Sequence, residues 1–105
     1  MQWPQDADGD VFRRLESQGF DFTKRYTIDF QVDFECWPPP AEAAALLREI
    51  YPNVATVEPN ADAAGYLEFS VSAPLTYELV TTIQRTVTGA LSALGGVCNS
   101  WGVLH

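Results

Sequence analysis

Three carboxylates and an amide lie at alternating positions in the stretch YTIDFQVDFE, residues 26–35: Asp29, Gln31, Asp33 and Glu35. Carboxylates grouped in this way can exchange protons with a substrate, hold a hard cation, or accept hydrogen bonds from the cationic side chains of a partner. The spacing discriminates among these. Residues that alternate on a strand share one face, and Asp29 and Asp33 are then about 13 Å apart at a rise of ~3.3 Å per residue. Carboxylates that far apart on an open face stay hydrated, keep ordinary acidity and make poor general acids. Recognition is the chemistry that remains, and Glu68, in a second alternating stretch, is expected to join the same face.

Other candidate groups are weaker. Asp6-Ala7-Asp8-Gly9-Asp10 has the D-x-D-x-D opening of a calcium loop, but the sixth and twelfth positions hold Val11 and Ser17 where an EF-hand needs Gly and a bidentate Glu. Helix capping explains these aspartates better, and no metal or other cofactor is expected. His105 is the only histidine and ends the sequence, no serine or cysteine has a nucleophile-elbow context, and Gly95-Gly96 follows a helix pattern where a phosphate loop would precede one. The expectation is a protein that is not an enzyme. Trp37, Tyr66, Tyr77 and Trp101 are candidates for an aromatic recognition patch, although such residues more often pack into a core with a bonded polar tip. Asp8, Asp10 and Trp37 are taken as secondary contacts. Cys36 and Cys98 are too few for a disulfide scaffold and are expected as two small buried thiols near one end of the sheet.

Composition narrows the partners. Fourteen acidic against six basic residues give a formal charge of −8 in 105 residues. Nucleic acid must be met by Lys and Arg, so direct binding to it is disfavoured and a basic protein surface is favoured. There is no apolar run of membrane-spanning length, and the first ten residues do not read as a signal peptide, so a cytoplasmic location is expected.

The elements that must position these groups follow from pattern and punctuation. Residues 1–7 read as a flexible lead and 8–105 as a single domain. A short helix is predicted from about Asp10 to Gln18, stopped by Gly19, with Val11, Phe12 and Leu15 as its apolar side. The strand 26–35 follows, with Ile28, Phe30, Val32 and Phe34 facing a core. Pro38-Pro39-Pro40 then opens a helix with Ala43, Leu46, Leu47, Ile50 and Tyr51 on or near one stripe. Strands at 54–58 and 66–72, a helix over 74–94 and a strand over 97–104 complete the chain. The order is an added N-terminal helix followed by β-α-β-β-α-β. That series predicts an α+β, ferredoxin-like antiparallel sheet with two helices on one face and the first and third strands in the middle. The added helix must cover either an edge or part of the open face.

The helix ending in LESQGFD, the strand YTIDF, an alanine-rich helix and the closing GGxxxxWG together resemble the RraB family, regulators of ribonuclease E. The more specific pieces are Asp8-Gly9-Asp10, Gly19-Phe20-Asp21, Tyr26-Thr27-Ile28 and Asn99-Ser100-Trp101-Gly102. The resemblance implies an α+β sandwich on a ferredoxin-like core and a non-enzymatic role: binding ribonuclease E and lowering its activity. The expected function is therefore a small acidic regulator that inhibits a ribonuclease by protein–protein contact through Asp29, Gln31, Asp33, Glu35 and Glu68. Two alternatives stay open: an immunity or antitoxin-like protein with a dedicated toxin partner, and a small-molecule-binding ferredoxin-like dimer. A plainly solvated sheet face, common in antiparallel sheets, is the baseline against which all of them stand.

Overall fold

The computed structural model describes residues 3–103. Helix α1 (Ala7–Ser17) leads into strand β1 (Arg25–Phe34), helix α2 (Ala41–Ile50), strands β2 (Ala55–Val57) and β3 (Tyr66–Pro74), helix α3 (Tyr77–Leu91) and strand β4 (Gly96–Val103). The architecture is mixed α+β, with three α-helices and an open, wholly antiparallel four-stranded sheet in the order β2-β3-β1-β4. The first and third strands lie in the middle, as the β-α-β-β-α-β series predicts.

One side of the sheet makes the core. Ile28, Phe30 and Val32 of β1, Leu67 and Phe69 of β3 and Cys98 of β4 are buried together with Phe12 and Leu15 of α1, Ala43 and Leu47 of α2, and Val80, Ile83, Val87 and Leu91 of α3. Phe30 and Phe69 are register partners with rings 5.2 Å apart and nearly parallel, and Tyr51 stacks on Phe69 at 4.2 Å. Each fully buried Val, Leu, Ile or Phe among them contributes about 1.5–3 kcal/mol by leaving water, so this layer holds the fold.

Helix α1 starts one turn earlier than its sequence suggests. Asp6 is the cap, its Oδ1 accepting the Gly9 N–H at 2.6 Å, so Asp8 and Asp10 fall in the first turn where the macrodipole favours negative charge. Gly19, at φ +80°, supplies the left-handed residue that ends the helix, and the Phe20 N–H closes back on the Leu15 carbonyl at 3.1 Å. The helix lies on the core side of the sheet. Phe12 packs against Trp101 of the edge strand β4 at 5.5 Å and Tyr77 of α3 at 6.1 Å, and Trp3 closes on Phe12 at 4.7 Å. Of the two places open to this helix, it takes the edge and leaves the opposite sheet face bare.

Gly9 is held there by contact. A Cβ at this position would stand 1.8 Å from the Pro4 carbonyl oxygen. Alanine normally favours a helix over glycine by about 1 kcal/mol, but here Gly9→Ala is expected to lower stability by about 1–3 kcal/mol through overpacking, read as a fall in urea midpoint. A midpoint that rises would show that Pro4 does not pack on α1.

Helix α3 is shorter than its periodicity implies. β3 runs on to Pro74, paired with Arg25, and Thr76 caps the helix by accepting the Leu79 N–H at 3.0 Å. Its C-terminal end passes through a 3-10 turn, Ser92–Leu94, to Gly95 at φ +82°. In α2 Ala43 and Leu47 are buried, with Ala44 and, just past the helix end, Tyr51 partly buried against the core, whereas Leu46 and Ile50 are 38% and 47% exposed, correcting the wider stripe read from the sequence. Taking position 43 as zero, 47 lies at about +40° around the axis, whereas 50 and 46 lie at about −20° and −60°, on the flank of the buried arc. Strand β2 is cut to three residues because Asn53 replaces backbone with side chain. Its Oδ1 accepts the Ser70 N–H at 3.4 Å and its Nδ2 donates to Ser70 Oγ at 2.6 Å.

The two cysteines also differ from expectation: both are free, and Cys98 is buried whereas Cys36 is exposed. Cys36 lies beyond the end of β1, in the bend before Pro38, where no core residue covers it. Burial, aided by the charge of Asp33, pushes the Cys98 thiol up to about 12. A folded-state value above the unfolded one means that the stability from keeping this thiol neutral is complete below about 9 and is lost as pH rises toward 12. A thiol reagent at pH 8 is expected to modify one cysteine per chain, Cys36, and to reach Cys98 only in denaturant. Rapid modification of both in the native state would contradict the burial.

Candidate protein-binding face

The register of the four strands arranges the bare sheet face into rows. Val57, Tyr66, Asp33 and Val97 are successive partners across β2, β3, β1 and β4. The next row is Ala55, Glu68, Gln31 and Ser100, and the third is Ser70, Asp29 and Gly102. Glu68 therefore stands opposite Gln31, diagonal to both Asp29 and Asp33, about 7–8 Å from each by strand geometry. Gln31 joins the edge strand by accepting the Ser100 hydroxyl at 3.3 Å. Asp29 and Glu68 are half-buried and Asp33 is exposed. Among the described residues no hydrogen bond or ion pair ties these three carboxylates down, so their acceptor capacity faces outward.

Of the residues expected here, Asp29, Gln31, Asp33 and Glu68 come together and Glu35 does not. Glu35 lies past the end of β1, its N–H donating to the Gly95 carbonyl at 3.2 Å, beside Cys36 and Pro38 on a separate shallow cleft. The secondary contacts are scattered as well. Asp8 accepts the Trp101 indole N–H at 2.8 Å and the Gln84 amide at 3.1 Å, so both its oxygens serve the docking of α1. Asp10 pairs with Arg13, and Asp6 receives the Tyr77 hydroxyl. The bond from Tyr77 and the cap to Gly9 hold the Asp6 carboxyl below its usual range, and the same bond raises Tyr77. The three aspartates of the calcium-like run thus point to three different partners.

Trp37 covers Gly65, where a Cβ would meet its ring at 2.7 Å, and donates its indole N–H to Glu58 at 3.2 Å. Trp101 is half-buried against Phe12 with its N–H bonded, a core role with a polar tip. Tyr66 remains as the aromatic of the open face.

Sequence reading missed Val97 and Val57. For Val97 the cause is a β-bulge: the β1–β4 register shifts between Gln31 and Val32, with Asn99 as the extra residue. Cys98 faces the core before it and Trp101 and Val103 after it, so parity inverts within one strand and simple alternation assigns half of it to the wrong face. The signal available was Thr88, whose hydroxyl accepts the Cys98 N–H at 2.9 Å and donates to its carbonyl at 3.4 Å, closing the outer edge beside the bulge. Only tertiary contact reveals it.

Among the described residues the helices lie on one side of an antiparallel sheet, and the other side is a polar, carboxylate-bearing face. No helix among the described residues is long and apolar enough to cross a membrane. The chain belongs to the RraB family: the family model, described as regulator of ribonuclease activity B, matches residues 5–103, nearly the whole chain. No curated protein matches it significantly. Membership gives a regulatory family, concerned with ribonuclease activity, in place of a catalytic one.

Proposed function

We propose that this protein binds a ribonuclease, of the ribonuclease E type, and lowers its activity by protein–protein contact through the open sheet face. The observation that supports the reading is the bare platform itself: Asp29, Asp33 and Glu68 on the two central strands, with α1 folded away to the other side. An enzyme that grips RNA needs a basic surface, and a rigid array of carboxylates complements such a surface and competes with the phosphates for it. Tyr66, flanking Asp33, supplies the aromatic anchor that charge alone lacks. On this reading the protein is not an enzyme, needs no cofactor, does not touch nucleic acid itself and works in the cytoplasm. The split β-α-β order with β1 and β3 central supports a ferredoxin-like assignment for the fold.

The test is RNA cleavage by a purified ribonuclease E-type enzyme in the presence of increasing protein. Inhibition that saturates near stoichiometry and weakens between low and physiological salt is the expected result. Full cleavage at a large molar excess under low salt would overturn the reading.

A further inference from the structure

On the open face the three carboxylates have unequal neighbours. Asp29 stands between Ser70 and Gly102, and Glu68 between Ala55 and Gln31. Asp33 is exposed and lies between Tyr66 of β3 and Val97 of β4, an aromatic ring on one side and an aliphatic group on the other. Cross-strand partners place their Cβ atoms about 4.5–5.5 Å apart, so the three side chains form one row that spans about 10 Å between its outer Cβ atoms.

Two observations mark this row as a contact surface. Val97 is 43% exposed, and the other large hydrophobics exposed to this degree among the described residues, Leu46 and Ile50, lie on α2. Three of the four tyrosines are committed within the fold. Tyr26 lies 4.5 Å from the Phe20 ring and donates its hydroxyl to the Asp21 carbonyl, Tyr51 stacks on Phe69, and the Tyr77 hydroxyl goes to Asp6. Among the described residues the Tyr66 ring has no aromatic partner, and neither its hydroxyl nor the Asp33 carboxylate has a hydrogen bond.

A cation complements Asp33, and the groups beside it select the kind of cation. An ammonium is compact and strongly hydrated, and it gains little from one exposed carboxylate. A guanidinium is planar and weakly hydrated. It can fork onto a carboxylate, stack on an aromatic ring and lay its aliphatic stem on an apolar neighbour. We infer that Tyr66, Asp33 and Val97 form a seat for an arginine side chain, so that the basic polypeptide docking on this face is selected for arginine over lysine. The inference rests on the open face being the binding surface and adds the residue class that the surface reads.

The test compares two end-blocked peptides of equal charge, hexaarginine and hexalysine, titrated at low salt into the full chain. Binding is read from the ¹H–¹⁵N signals of Asp33, Tyr66 and Val97. Hexaarginine is expected to bind the wild type about fivefold more tightly than hexalysine, the size of an exposed cation–π contact. Tyr66→Leu keeps apolar bulk but removes the ring, and is expected to bring the ratio below about twofold, whereas Tyr66→Phe keeps the ring and should preserve it. The wild-type comparison stands even where Tyr66→Leu does not fold. Equal binding of the two peptides by the wild type, an undiminished ratio in folded Tyr66→Leu, or hexaarginine shifts that spare these three signals overturns the seat. Arginine selectivity without inhibition of a ribonuclease would fault the proposed function and leave the seat in place, whereas inhibition without selectivity would fault the seat alone.

Discussion

Phe12→Ala is expected to destabilise the protein by about 3–5 kcal/mol, the usual cost of removing a buried phenylalanine ring. Phe12 is fully buried and its ring lies within 4.7–6.1 Å of Trp3, Trp101, Phe22 and Tyr77. It therefore joins the N-terminal lead, the α1–β1 connection through Phe22, α3 and β4 at one point. At roughly 4–8 °C per kcal/mol for a domain of this size, the melting temperature should fall by 12 °C or more. Native stabilities are about 5–15 kcal/mol, so the variant is left near its folding threshold. Urea unfolding measures the loss. A change below about 1 kcal/mol would mean that α1 is an appendage and contributes little to the core.

Charge reversal of the open face has the largest expected effect on binding. Asp29→Lys with Asp33→Lys replaces two attractions to a basic partner by two repulsions, and like-charge juxtaposition at an interface costs several kcal/mol. A combined loss of about 3 kcal/mol is roughly a hundredfold in affinity. Neither carboxylate is tied to another described side chain, so the melting temperature should change by only a few degrees. Glu42→Lys with Glu49→Lys, on the exposed side of α2, shifts the net charge by the same amount and is the control. That pair should weaken binding only slightly, through the general field of the molecule. Equal losses from the two pairs would reduce the effect to net charge and remove the sheet face from the account.

Most of the fold was legible because β1 is strict in its alternation. Ile28, Phe30 and Val32 fix one face for the core, and everything on the other parity of β1 and β3 follows from it, including the placement of Glu68 beside Asp29 and Asp33. Three features were not legible, each for a tertiary reason. Leu46 and Ile50 have the residue type of a core stripe but lie on the flank of the buried arc and stay exposed. The parity of β4 inverts at Asn99, so Val97 reaches the open face although Cys98 beside it is core. The side of the sheet taken by α1 is decided by Phe12 meeting Trp101 and by Asp8 receiving the Trp101 and Gln84 N–H groups, contacts that span most of the chain. The last of these matters most to function, since α1 on the other side would have covered the carboxylates.

The most direct measurement is a residue-by-residue footprint of isotope-labelled protein bound to a ribonuclease E-type enzyme, read from chemical-shift changes and line broadening. The account predicts that Asp29, Gln31, Asp33, Tyr66, Glu68 and Val97 respond together while Leu46 and Ile50 on the outside of α2 stay unchanged. A footprint confined to α2, with the sheet face silent, would contradict it.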